Sequence, residues 1–127
     1  MGISLSDSPT ARALRECKRR QWPAYVTEKH NAFAGKKSDA FGFGDLLAID
    51  GEPGSLLIQV TSTSNMATRR TKILTECKVL SRAWLEAGNR ISVWGYSRRV
   101  HRNKDGSKSK VKRWTLRVVE VTLDDFV

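Results

Sequence analysis

The segment from Phe43 to Thr61 constrains the fold of this chain more than any other. It reads Phe43-Gly44-Asp45-Leu46-Leu47-Ala48-Ile49, then Asp50-Gly51-Glu52-Pro53-Gly54, then Ser55-Leu56-Leu57-Ile58-Gln59-Val60-Thr61. Two short apolar runs joined by Asp-Gly and Pro-Gly spell a β-hairpin. With Glu52 as the centre of symmetry, Asp45 faces Gln59 across the ladder, and Thr61 shares the face of Gln59. Side chains that face each other stand roughly 5 Å apart at Cβ, close enough for both to reach one metal ion. Packing gives an apolar hairpin no reason to set an acid opposite an amide, so the pair is a candidate for function.

The elements around the hairpin follow from local signals. Ser8-Pro9 starts a helix to about Arg20, with Ala13, Leu14 and Cys17 as its apolar face and Lys18, Arg19 and Arg20 complementing the dipole of its last turn; the residues before it are an unstructured lead-in. Pro23 ends this helix. A first strand is expected over Ala24–His30, a loop over Asn31–Ser38, and then the two hairpin strands. One long helix is expected from Thr63-Ser64-Asn65 to about Ala87, because Ile73, Cys77, Leu80 and Trp84 recur on one helical face. Arg82 and Glu86 can pair on its other side, and Gly88-Asn89 stops it. Strands at Ile91–Tyr96 and Trp114–Val121 close the order α-β-β-β-α-β-β. The long helix is a sufficient crossover for strands three and four to pair in parallel. The expected fold class is α/β, a mixed sheet with packed helices.

At 127 residues the chain is one domain, 1–127, and its composition is that of a soluble protein. Its charge is unusual: 23 Lys and Arg against 13 acids give a net +10. That excess favours a polyanionic partner, nucleic acid before an anionic membrane surface. No apolar run is long enough to span a bilayer. Cys17 and Cys77 form no zinc-type pair; Cys77 is expected in the core and Cys17 as a half-exposed thiol, and two unpaired cysteines suit the cytoplasm.

The charge is clustered. Arg69, Arg70 and Lys72 fall in the opening turn of the long helix, where cations oppose the dipole unless an anion arrives. The segment 98–113 carries Arg98, Arg99, Arg102, Lys104, Lys108, Lys110, Lys112 and Arg113 around an Asn103-Lys104-Asp105-Gly106 turn. It is expected to be a basic β-arm suited to a nucleic-acid backbone. Trp84 and Trp94 read as core, whereas Tyr96 and Trp114 are either core or stacking platforms for a base.

A helix, three strands with Asp on the second and a three-residue polar motif on the third, then a helix and a strand: from Ser8 to Tyr96 the chain resembles the PD-(D/E)XK nucleases, the restriction-endonuclease-like fold. Phe41-Gly42-Phe43-Gly44-Asp45-Leu46-Leu47-Ala48 and Gln59-Val60-Thr61-Ser62 carry the likeness, and small phage and archaeal Holliday-junction resolvases are the most similar group. The resemblance implies Asp45 as a metal-binding aspartate, Gln59 where the family has Glu or Asp, and Thr61 where it has the catalytic lysine. It also implies Mg²⁺ or Mn²⁺ as cofactor, DNA as substrate and a homodimer. Gln59 brings no negative charge and Thr61 no positive one. Glu28 or Asp39 could supply a second carboxylate, and Lys36, Lys37 or Lys72 the missing cation.

Simpler readings stand beside these. Asp45 also reads as a buried strand aspartate satisfied by backbone donors, Gln59 as a polar residue on a solvated face, Glu28 and Thr61 as ordinary strand residues, and Asp39 as a turn former. Three functions follow: a metal-dependent endonuclease on branched DNA, in a bacterial host if phage-encoded; a non-catalytic DNA-binding relative with a decayed centre; or a phage inhibitor whose arm grips an acidic protein.

Overall fold

The computed structural model describes residues 8–31 and 36–126. The expected lead-in and the middle of the expected 31–38 loop lie outside the described residues. The chain runs α1 (Pro9–Arg19), β1 (Ala24–Val26), β2 (Lys29–Asn31), β3 (Lys36–Ser38), β4 (Leu46–Ala48), β5 (Leu56–Ser62), α2 (Met66–Leu74), α3 (Lys78–Glu86), β6 (Arg90–Arg102) and β7 (Lys108–Val121), with 3-10 turns at Thr63–Asn65 and Leu123–Asp125. Five strands form one mixed sheet in the order β1-β4-β5-β6-β7, and β2 and β3 pair as a separate ribbon. The fold is therefore α/β, and the crossover through α2 and α3 sets β5 parallel to β6, as expected.

The hairpin adopts the register read from its symmetry, with Leu46 opposite Ile58 and Ala48 opposite Leu56. Alternation along β5 then sorts its side chains. Leu56, Ile58 and Val60 pack with Ala13 and Cys17 of α1 and with Trp94, while Leu57 joins Phe43, Met66, Ile73, Ile91 and Val93 on the face covered by α2 and α3. Gln59 and Thr61, in phase with Leu57, belong to that second face. Cys17 is fully buried against the sheet, and its thiol is pushed up to about 11 by burial; the expectation of a half-exposed thiol is corrected, because the apolar face it shares with Ala13 packs closely on the sheet.

Two expected elements divide. The strand foreseen over Ala24–His30 breaks at Thr27-Glu28, whose backbone N–H groups both turn to the carbonyl of Asp45. The long helix breaks at Thr75–Cys77: the N–H of Cys77 donates to Lys72 rather than to Ile73, and the freed Ile73 carbonyl accepts the buried Ser81 hydroxyl at 2.8 Å. The break resets the helical phase. Leu80, expected on the packed stripe, is 46% exposed, and Ser81 takes its place in the interior. Trp84 remains against the sheet and donates its indole N–H to the Arg90 carbonyl. No helix among the described residues is long and apolar enough to cross a membrane.

Beyond the sheet, β6 and β7 continue as a two-stranded arm, with Arg98 opposite Trp114, Arg99 opposite Arg113 and Arg102 opposite Lys108. Its turn closes through Asn103 and Ser107, and Gly106 adopts φ +89°, a left-handed conformation that glycine reaches without strain.

Candidate acidic site and nucleic-acid interface

Asp45 sits immediately before β4, at the open end of the hairpin, and local geometry crowds acids around it. Ala40 and Gly44 form an antiparallel bridge around the tight turn Phe41-Gly42-Phe43, which keeps Asp39, the residue before the bridge, close enough for its charge to bear on Asp45. Gly44 has no room for a side chain, since a Cβ there would stand 2.5 Å from Leu57. On the other side, the carbonyl of Asp45 accepts from the N–H groups of Thr27 and Glu28, and the Thr27 hydroxyl donates to the Gly44 carbonyl at 2.6 Å. These bonds bring the Glu28 carboxyl within hydrogen-bonding reach of the Asp45 carboxyl. Thr10, in the first turn of α1, donates its hydroxyl to Glu28 Oε2 at 2.9 Å.

Asp45 is 3% exposed and Gln59 4%. Gln59 Nε2 and the Val60 N–H both donate to Asp45 Oδ2 at 2.8 Å, leaving Oδ1 outside these two bonds. Burial pushes the Asp45 carboxyl up to about 7; the Val60 N–H opposes that rise, and the charge and hydrogen bond of Glu28 and the charge of Asp39 add to it. No cation among the described residues pairs with Asp45. A carboxyl raised this far holds a proton to higher pH than an exposed aspartate does.

The juxtaposition of Asp45 and Gln59 agrees with the sequence reading, but the amide acts differently from a metal ligand. It donates its N–H to Asp45 and fixes that carboxylate's orientation. Gln59 and Thr61 are buried polar residues, so the solvated-face reading of Gln59 is corrected. Glu28 is not an ordinary strand residue, since it lies in the break between β1 and β2 and faces Asp45. Lys72 lies in the last turn of α2, where its charge bears on Cys77, and the charge of Asp39 bears on both Cys77 and Asp45. Lys36 and Lys37, expected within the 31–38 loop, lie on β3, and their side chains lie outside the described residues. Among the described residues no group of three or more His, Cys, Asp and Glu side chains is arranged to hold a metal. The donor set is two carboxylates, which suits a hard cation that keeps several waters or substrate oxygens.

The basic clusters are partly relocated. α2 begins at Met66, so Arg69 and Arg70 lie in its middle and Lys72 in its last turn, where cations agree with the dipole. The argument for a phosphate seat at a helix N-terminus falls with that shift, and Arg70 is paired with Asp125 at 2.9 Å. The arm forms as expected. Arg98, Arg99, Lys104, Lys108 and Arg113 are exposed on it, and the side chains of Arg102, Lys110 and Lys112 lie outside the described residues.

Sequence reasoning missed a third basic surface. Arg12, Arg15, Glu16 and Arg19 of α1, with Arg20 just after it, line a groove of about 520 Å³ together with Tyr96, Trp114, Leu116 and Val118. The signal was present in the spacing: Arg12, Arg15 and Arg19 recur at three and four residues, one face of a helix. Tyr96 is buried there and Trp114 is 48% exposed, so the two aromatics that could have been either core or platform divide between those roles. Comparison of the chain with protein-family models, with curated proteins and with solved structures returned no match.

Proposed function

We propose that this chain is a DNA-binding, metal-dependent endonuclease of the restriction-endonuclease-like type, with Asp45 and Glu28 holding a divalent cation such as Mg²⁺ or Mn²⁺. The observation that carries the reading is the buried Asp45 carboxyl at the open end of the hairpin, with Glu28 bound through its backbone N–H to the Asp45 carbonyl and its carboxyl bearing on that of Asp45. When bound there, the cation would polarise a phosphate and acidify a coordinated water. The chain's own residues do the positioning. Gln59 and the Val60 N–H hold Asp45 Oδ2, Thr10 holds Glu28, and Lys72 is the candidate cation for the phosphate. Hydrolysis adds water to phosphorus and expels an alkoxide, so protons must leave the water and reach the leaving oxygen.

DNA as the substrate is supported by the arm. Arg99 stands opposite Arg113 across its ladder, and both are exposed. Like charges at opposed positions are destabilising, and a polyanion laid along the arm relieves them. A branched substrate and a pair of subunits acting on it rest on the resemblance to junction resolvases.

A second reading keeps the DNA surface and removes hydrolysis. It is favoured by the neutral, buried Thr61 and by the Gln59 N–H that already satisfies Asp45. Incubation with four-way junctions and plain duplex in Mg²⁺ or Mn²⁺ separates the two. The proposal expects metal-dependent nicks that Asp45→Ala abolishes. Salt-sensitive binding without nicks selects the second reading, and no binding at moderate salt overturns both.

A further inference from the structure

We infer that the groove between α1 and the base of the β6–β7 arm seats an unpaired DNA strand, with stacked arginines meeting its phosphates and Trp114 meeting its bases. The inference rests on the DNA-binding reading above and adds the form of DNA and the surface that takes it. Four arginines line the groove against the single acid Glu16, so its occupant is anionic. Glu16 is itself bonded to Arg19 and Arg20, at 2.5 and 2.7 Å. The Arg12 guanidinium carbon lies 3.7 Å from the centroid of the Trp114 ring and 5.7 Å from that of Tyr96, and Arg98 approaches Trp114 from the arm at 5.5 Å. A guanidinium stacked by its face keeps its N–H fork at the edge, the geometry that meets a phosphate bidentately.

Charge alone would suit duplex as well. The distinguishing feature is apolar surface beside the charge: Trp114 and Val118 are both nearly half exposed within the groove. A duplex hides its bases, whereas a single strand offers them for stacking and apolar contact. The Tyr96 hydroxyl, buried and without a hydrogen-bond partner among the described residues, adds a polar group beside the groove. The arm's cations continue from the Trp114 end, so a strand lying here would join the surface already assigned to DNA.

Fluorescence anisotropy with a labelled oligothymidine and with a hairpin duplex of the same length tests this. The unsubstituted protein is expected to bind both. Trp114→Ala should weaken single-strand binding about tenfold and leave duplex binding within about twofold, in line with the loss of one stacked base. Arg15→Ala, at an exposed helix position, should lower the slope of log affinity against log salt by about 0.7 for the single strand, the loss of one phosphate contact. Lys78→Ala, at an exposed position of α3, should change neither, and thermal unfolding checks that each variant is folded. Duplex binding without single-strand binding overturns the inference and leaves the DNA-binding reading standing. Single-strand affinity unaltered by both groove substitutions, or a Trp114→Ala loss equal for both DNA forms, also overturns it. Failure of the unsubstituted protein to bind either DNA overturns both.

Discussion

The two ends of the β4–β5 hairpin each carry an aspartate, and the chain treats them in opposite ways. At the turn end, Asp50 takes both Nη atoms of Arg90, at 2.5 and 2.7 Å, and Arg90 also donates through Nε to the Pro53 carbonyl. That guanidinium holds the Asp50 carboxyl below the usual carboxylate range and ties the turn to the start of β6. At the open end, Asp45 is more deeply buried, receives only neutral N–H donors among the described residues, and is crowded by Glu28 and Asp39. The same residue type on one hairpin is thus neutralised by the protein at one end and left acid against acid at the other. Structure explains Asp50 completely. At Asp45 the proposed divalent cation would offset the crowding of acids.

Substitution should break the comparison most sharply in activity. Asp45→Ala is expected to reduce metal-dependent DNA cleavage by a thousandfold or more, roughly 4 kcal/mol of transition-state stabilisation, while Asp50→Ala leaves the rate per folded molecule within a few-fold. Gel assays of four-way-junction cleavage, corrected for the folded fraction, check this.

The pH dependence of stability should differ in sign. The raised Asp45 pKa means that the folded state keeps a proton the unfolded chain releases, so without metal this group's contribution falls as pH rises from about 4 to about 7. Asp45→Asn should remove that fall and raise stability above pH 7 by an amount on the order of a few kcal/mol. The lowered Asp50 pKa contributes in the other direction: its stabilisation is present above the ordinary carboxylate range and is lost as pH falls through the folded value. Asp50→Asn should therefore destabilise at pH 7 and converge with the unsubstituted protein in acid. Urea unfolding from pH 3.5 to 8.5 reads both.

Two smaller effects sharpen the contrast. Arg90→Ala leaves Asp50 without its partner and should cost about 2 kcal/mol at neutral pH, read by thermal or urea unfolding. Gln59→Glu replaces an N–H donor with another acid against Asp45. It should destabilise the metal-free protein by about 1–2 kcal/mol, and Mn²⁺ should restore more of that loss than it adds to the unsubstituted protein. Thermal unfolding with and without Mn²⁺ measures it.

Much of this was legible in the sequence because it depends on short-range rules. The hairpin register followed from the symmetry about Glu52, the arm from Asn103-Lys104-Asp105-Gly106, and the parallel β5–β6 pair from the length of the crossover. The departures arise where tertiary partners overrule local pattern. Nothing in the periodicity of 63–87 announces that Ser81 will take the Ile73 carbonyl and break the helix, and that break moved Leu80 outward. The pairing of Asp45 with Gln59 was readable from register, but its sense was not: whether an amide faces a carboxylate as donor or stands beside it as a metal ligand depends on the competing N–H groups nearby. Glu28 became a stronger candidate only when its backbone was seen bound to the Asp45 carbonyl. The α1 arginines needed the neighbouring Trp114 to show that they share a groove with the arm.

Calorimetric titration of Mn²⁺ into the unsubstituted protein, Asp45→Asn and Asp50→Asn, all without DNA, tests the claim of a cation site at the open end most directly. One Mn²⁺ per chain should bind the unsubstituted protein and Asp50→Asn, with proton release near pH 7, and Asp45→Asn should bind none in the same range. Equal binding by all three proteins, or loss of binding in Asp50→Asn alone, would contradict it.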